Sequence, residues 1–451
     1  MKVQRISDNQ YEFSLYPSAE IFNSYYERFL LSDLGKISLG IPWQELLKSF
    51  NLKELDKGPT CIFSPRGKIA LMILKHHAGV SDRKLIEQLN SNIDYQIFCD
   101  IRLGFTRLTN YKIVSQIRVE LSNILNINTI EQVLYNHWSK YMSNTNSITT
   151  DATCYESEVR FPTDQKLLWE SVNWSFGQLK RICKTLEIPL PRTKYLKWNK
   201  RYVGYSKMRR KTKSKRTSLT RALIRLLKKI NTELDKIEKT YNFDMPQLYY
   251  TRRDTIIKIL EQQSNWFYNG EKPSNRIVSI SKSYLRPIVR GKEIKRVEFG
   301  AKVNKLQIDG INFIEHISFD SFNEGVRFQN TVYKALRLTK VMPKIVGADA
   351  IYATNANRKF VTSNNIRTDF KPKGRKSKDH KQKLQLARII TKERATRLEG
   401  SFGKEKEHYY LKKIKAKTSK TEQLWIFFGI HTANALEIGR RIIIASQQKS
   451  A

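Results

Sequence analysis

The sequence is poor in cysteine, in long apolar runs and in negative charge, and each shortage narrows what the chain can be. Its four cysteines, Cys61, Cys99, Cys154 and Cys183, are scattered, with no CxxC pair and no histidine at ligand spacing. That argues against a disulfide framework or a zinc knuckle and leaves buried free thiols as the expectation. Segment 1–17 holds no apolar run of signal-peptide type, and no later stretch approaches the ~18 uncharged apolar residues of a membrane span. A soluble, cytoplasmic protein with no membrane partner is therefore expected. Acidic residues number 42 against 82 Lys plus Arg, giving a formal charge of +40. Such an excess calls for a polyanion, with nucleic acid ahead of an anionic membrane surface. What is present in quantity argues for a folded chain: 40% hydrophobic residues, with 21 Phe, 21 Tyr and 7 Trp. At about 150 residues per domain, 451 residues suffice for about three.

Along the chain, Ser64-Pro65-Arg66-Gly67 supplies an N-cap and a proline at the first helical position, and apolar spacing predicts a helix that Gly79 ends. Ser81-Asp82 opens a second helix after a tight turn, a possible helix-turn-helix, and two more are expected at about 109–123, capped by Thr109, and 129–142. Residues 1–143 thus read as an all-helical N-terminal domain suited to DNA binding. After the polar Ser143-Asn144-Thr145-Asn146, segments 147–154 and 158–161 suit two strands joined by a turn. From 166 to about 263 the pattern is helical again, with apolar spacing at Leu219, Leu223, Leu226, Leu227, Ile230, Leu234 and Ile237. Within it, 192–229 holds sixteen Lys or Arg and no acidic residue, interleaved with Tyr195, Trp198, Tyr202 and Tyr205. Cations with aromatics suit a sugar-phosphate track with exposed bases, and Arg209, Arg210, Lys211 and Lys213 are its candidate DNA-binding residues. Strands are expected at 276–280, 297–308 and 311–318, with Asp309-Gly310 as a hairpin turn, then a helix at 322–338 and a short buried strand at 344–349. A second basic stretch, 371–383, precedes the last helical region from about Leu384. This order is α/β.

Three carboxylates stand out by context: Asp151 inside a strand, Asp349 at a strand end, and Glu399 on the last helical region. Carboxylates at strand ends converge at one sheet edge. Unpaired by local arginine, three together are costly unless Mg²⁺ or Mn²⁺ neutralises them, and two such ions suit in-line phosphoryl transfer. His76 and His77 read as packing and capping residues, Asp164, Glu156 and Asp309 as turn and surface residues, and Trp425, Phe427 and Phe428 as core.

The chain resembles the DDE transposases of bacterial insertion sequences. The likeness is carried by Phe63-Ser64-Pro65-Arg66-Gly67, Val80-Ser81-Asp82-Arg83-Lys84-Leu85 and Tyr95-Gln96-Ile97-Phe98-Cys99 near the start, then by Thr150-Asp151-Ala152-Thr153 and Val159-Arg160-Phe161-Pro162-Thr163-Asp164. It continues in Arg286-Pro287-Ile288-Val289-Arg290-Gly291-Lys292 through Val297-Glu298-Phe299-Gly300-Ala301-Lys302, and in Gly347-Ala348-Asp349-Ala350-Ile351-Tyr352 with Asn357-Arg358. Arg397-Leu398-Glu399-Gly400-Ser401-Phe402-Gly403 with Lys406 completes it, in the family's order. The resemblance implies a ribonuclease-H-like mixed sheet flanked by helices over 144–440, interrupted by the basic helical insertion 166–263. It implies that Asp151, Asp349 and Glu399 form a catalytic and metal-binding triad holding Mg²⁺ or Mn²⁺, two ions in number, and that the substrates are double-stranded transposon ends and target DNA. A homodimer or higher assembly on nucleoid DNA follows from the need to pair two ends. Lys406, seven residues after Glu399, is expected on the same helix face, holding a DNA phosphate, with Asn357 and Arg358 contacting DNA near Asp349. Many relatives carry a Tyr and an Arg at set positions before the glutamate; here Arg394 and Arg397 are offset and 392–396 holds no Tyr. Of the nearby glutamates, Glu399 is chosen because Leu398 and Phe402 flank it, whereas Glu405 and Glu407 stand on a solvent-like stretch with Lys404, Lys406 and His408, and Glu393 points elsewhere. Two other readings remain: a DNA-binding descendant without activity, and a structure-specific nuclease.

Overall fold

The computed structural model describes residues 19–53, 61–104, 106–241, 243–289, 297–373 and 380–450. Segment 1–17, residues 290–292 of the motif Arg286–Lys292 and 374–379 of the second basic stretch lie outside them. The described residues form two compact units. The first takes those up to Ser157, Ala301–Ser318 and those from Phe322 onward; the second takes those within Glu158–Gly300 and Phe319–Ser321.

The first unit opens with helices. In Pro65–Ala78 the Ser64 hydroxyl accepts from the Gly67 amide at 2.9 Å, and Gly79 closes the helix with φ +63°. Asp82–Ser91 begins in the same way on Ser81. The expected cap Thr109 is not used: that helix is Lys112–Ile124, entered through Tyr111 with no side-chain cap. The next, Ile127–Trp138, starts on the side chain of Asn126, two residues before the expected start.

The strands in chain order are β1 Ser147–Ser157, β2 Pro287–Val289, β3 Val297–Ile308, β4 Ile311–Ser318, β5 Ile345–Ala348, β6 Arg367–Thr368 and β7 Lys413–Ile414. The first unit's sheet runs β4-β3-β1-β5-β6, with β5 parallel to both β1 and β6, β4 antiparallel to β3, and β7 parallel to the end of β1. Asp309 and Gly310 make the β3-β4 turn with φ +48° and +81°, the backbone that an Asp-Gly hairpin requires. Helix His380–Glu393 crosses β5 so closely that a Cβ on Gly347 would lie 2.6 Å from Ile390 Cγ2.

Two strand expectations are corrected. Segments 147–154 and 158–161 are not two strands: one strand runs to Ser157, its end held by β7 from far along the chain, and nothing of 158–161 is extended into a ladder. Segment 276–280 is irregular, because the Ile277 amide is satisfied by the Gln262 side chain and Ile277 packs on Leu167 and Ile259 instead of in a sheet.

The second unit is four helices, Asp164–Thr185, Tyr195–Lys207, Lys213–Thr240 and Gln247–Asn269, with β2 paired to the first residues of β3. Its core is the predicted apolar row of Leu219, Leu223, Leu226, Leu227, Ile230 and Leu234, packed on Leu168, Val172 and Leu179. Among the described residues no helix is long and apolar enough to cross a membrane.

Candidate active site

In the register of β1 with β5, Thr150 stands opposite Ala348, so Asp151 and Asp349 follow on neighbouring parallel strands at the same level. Asp151 Oδ1 accepts from the Ala152 amide at 2.7 Å, and Asp349 Oδ1 from the Ala350 amide at 2.7 Å at the start of a short 3₁₀ turn. Glu399 comes from a third direction. The last helical region is broken: helix His380–Glu393 passes into a π-helical turn, Arg394–Glu399, then helix Gly400–His408, and Ser419–Ser450 follows β7 as a separate helix.

The π turn brings the three acids together through one cation. Arg394 Nη1 lies 3.6 Å from Asp151 Oδ2 and 3.3 Å from Glu399 Oε1, and its Nη2 lies 3.8 Å from Asp349 Oδ1. In a regular α-helix, residues five apart point about 140° away from each other, whereas a π turn closes on i→i+5 and puts them on one face. The expectation that no local arginine pairs the carboxylates is therefore corrected. Burial raises the Asp151 carboxyl to about 6 against the opposing Ala152 hydrogen bond, with Glu324 and Asp349 adding to the rise and Arg394 resisting it. Two further acids crowd this edge and were missed in the sequence. Glu324 pairs with Lys302 at 2.7 Å, and Asp369 accepts from the Ala348 amide at 3.1 Å, its pKa raised by burial. Asp369 directly follows β6, a two-residue strand that the sequence pattern did not mark.

Lys406 donates to Thr153 Oγ1 at 2.9 Å. Thr153 is two residues beyond Asp151 on the same side of β1, so this lysine stands one side-chain row from the acids. Asn357 is 3% exposed, and its amide donates to the carbonyls of Gly325 and Tyr352 at 2.7 and 2.8 Å, so it shapes the backbone after Asp349. Arg358 donates through Nε to the Ala353 carbonyl at 3.1 Å and lies over the Phe370 ring.

Glu405 departs most from expectation. Instead of facing solvent it is 1% exposed, 2.7 Å from Lys305 Nζ, and it accepts from Asn312 and Tyr155. It follows the buried Leu398 by seven residues, two helical turns, and so shares its inward face. Glu393 and Glu407 are exposed and pair with Arg397 and Lys412.

In the second unit Arg209, Arg210, Lys211 and Lys213 are all exposed around the start of helix Lys213–Thr240. Their aromatic neighbours are not an open stacking track. Tyr195 stacks on Phe176, Tyr202 on Trp169, and Tyr205 is buried, so these rings serve the unit's core. The thiols follow expectation except Cys61, which is exposed. His76 and Trp425 pack edge to face in the core, as read.

Among the described residues no three Asp, Glu, His or Cys side chains lie close enough to hold an ion together. The donor set itself is hard carboxylate oxygen, the chemistry that Mg²⁺ and Mn²⁺ take, with a guanidinium supplying positive charge among the donors.

A family model described as a transposase DDE domain matches residues 346–431, and one described as a transposase domain (DUF772) matches residues 29–120. No curated protein and no solved structure matches the chain.

Proposed function

We propose that this chain, which its two family matches support as a DDE transposase of an insertion sequence, cuts its element's ends and joins them to target DNA at Asp151, Asp349 and Glu399. The observation that carries the reading is the meeting of three carboxylates, from two parallel strands and a helix, around the one guanidinium of Arg394. The strand order β4-β3-β1-β5-β6, parallel from β1 outward with an antiparallel hairpin beyond, supports a ribonuclease-H-like core over 144–440. In this reading 1–143 is a DNA-binding helical domain and 166–263 a basic insertion.

Asp151, Asp349 and Glu399 would hold Mg²⁺ or Mn²⁺, two ions in number; when bound, these supply activation of the attacking hydroxyl and positive charge for the leaving oxygen. Burial raises the Asp151 carboxyl to about 6, so it holds its proton more tightly than a free aspartate, and a cation bound beside it would favour the ionised form, the proton going to solvent. Arg394 balances the acids until then and is placed to pass to a DNA phosphate. Water attacks the phosphodiester at the element end and the 3′ oxygen leaves; the freed 3′ hydroxyl then loses its proton and attacks a target phosphate, the target strand's own 3′ oxygen leaves as a hydroxyl, and no bond to the protein forms. Lys406 and Arg358 hold phosphate near the acids, Asn357 fixes the backbone between them, and Arg209, Arg210, Lys211 and Lys213 bind the duplex through charge. Two ends must be paired, so the working form is a dimer or higher assembly acting on nucleoid DNA in the cytoplasm.

The test is a strand-transfer assay in Mg²⁺ with labelled pre-cut ends taken from the DNA flanking the gene, run beside a cleavage assay on the same ends left uncut. Joined products with the unaltered chain and none with Asp151→Ala support the reading. Cutting without joining would mark a nuclease, and binding alone an inactive DNA-binding descendant.

A further inference from the structure

We propose that the buried Lys305–Glu405 pair is a positioning device that locks helix Gly400–His408, and with it Glu399, in register with the strand bearing Asp151. The proposal rests on the carboxylate reading of the active site given above. Lys305 Nζ lies 2.7 Å from both oxygens of Glu405, and the two side chains are 0% and 1% exposed. Tyr155 of β1 donates to one carboxylate oxygen, and Asn312 of β4 donates to the other at 2.9 Å. One helix side chain thus meets three strands. The strand end of the lock reaches the catalytic aspartate's neighbour, because the Thr150 hydroxyl donates to the Lys305 carbonyl at 2.9 Å. On the helix, the Lys305 ammonium stands 4.5 Å over the Phe402 ring, and Lys406 ties the next position to Thr153.

Stability alone does not explain such a pair, since apolar residues of the same volume are often as stable as a buried ion pair or more so. Directed bonds supply something else. A slip of the helix by one residue would leave a buried charge without its partner, so a single axial position and a single rotation are favoured. Glu399 precedes Glu405 by six residues, about 9 Å along the axis, and a slip of one residue would move it by about 1.5 Å. Displacements of that size at a reacting centre cost roughly 10²-fold in rate.

The test uses the full chain, first without metal and then with Mn²⁺. Glu405→Gln keeps the acceptor shape but strands Lys305. Lys305→Met with Glu405→Met removes both charges at similar volume and carries the test if the single variant fails to fold. Amide hydrogen exchange across 394–404 is expected to quicken roughly tenfold in the double variant with its melting temperature within a few degrees of the parent. Mn²⁺ affinity, read by electron paramagnetic resonance, is expected to weaken by a similar factor. Parental protection across 394–404 in a folded double variant overturns the proposal. If the unaltered chain binds no Mn²⁺ and joins no ends, the transposase reading falls, while the exchange result still decides the positioning.

Discussion

In the first unit buried acids tie helices to strands, whereas the second is built on an apolar row, with Arg253 buried against Asp235 and Glu238 and the cations of 209–213 outside. Glu131 is fully buried and receives bonds from the Ile314 amide, Lys334 and His431, joining helix Ile127–Trp138 to β4 and two later helices; Glu405 does the same for the sheet. The second unit is built on a leucine and isoleucine row, and its cations at 209–213 are exposed. A site that must hold acids in fixed places uses directed, buried polar bonds, at a desolvation cost. On the proposed reading, the exposed cations of the second unit would meet phosphate without regard to sequence, because phosphate contacts carry little base information.

The contrast breaks most visibly at the triad. Asp151→Ala, Asp349→Ala and Glu399→Gln are each expected to lower strand transfer by on the order of 10³-fold, about 4 kcal/mol, with binding to an end fragment kept. A variant cutting at near the parent rate would misplace the site. Next come the two kinds of core. Glu131→Ala is expected to cost about 3–5 kcal/mol because it strands Lys334, and Leu227→Ala about 2–5 kcal/mol through a cavity. Urea-dependent labelling of the buried thiols reads each in its own unit, Cys154 for the first and Cys183 for the second.

Acid sharpens the comparison. All seven histidines lie outside the second unit. Burial lowers His76 to about 3 despite its bond to the Tyr409 carbonyl, so the unfolded chain binds more protons between pH 6.5 and 3 and stability falls as pH drops through that window. The first unit should lose about 2 kcal/mol from this group between pH 7 and pH 5. His76→Asn should flatten the slope. Labelling with dithiodipyridine at each pH checks it, with Cys154 expected to open before Cys183.

A smaller effect is expected outside. Replacing Arg209, Arg210, Lys211 and Lys213 by Ala should lower the slope of log affinity against log salt by up to about 3.6, alike on all DNA sequences, with the melting temperature unchanged. An unaltered slope would return the loop to the status of a solvated surface. Smallest of all, Glu393→Gln and Glu407→Gln should leave stability within about 0.5 kcal/mol and joining near the parent rate, since both pairs are exposed.

Features with local chemistry were legible in the sequence. Ser64 and Gly79 bound their helix because a cap and a left-handed residue act within one turn, and Asp309-Gly310 makes its hairpin for the same reason. The missed features depend on distant chain. Whether 158–161 continues a strand is decided by β7, some 250 residues later, and 276–280 is denied a ladder by a glutamine side chain. At the site, the level of Asp151 with Asp349 follows from strand pairing. The reach of Arg394 follows from a π turn that α-helical counting places on the wrong face. Glu405 was misread because its lysine neighbours look solvated while its distance from Leu398 marks the inward face.

The division of the first unit into separate stretches of chain sets an order for synthesis. Thr150 finds the Lys305 carbonyl 155 residues later, so β1 leaves the ribosome long before β3 and β5 exist to pair with it. The four helices of the second unit close over local contacts and are complete first. A product terminated before residue 297 would carry β1, an 11-residue strand, without β3 or β5, which makes early termination a route to aggregation rather than to a smaller working protein.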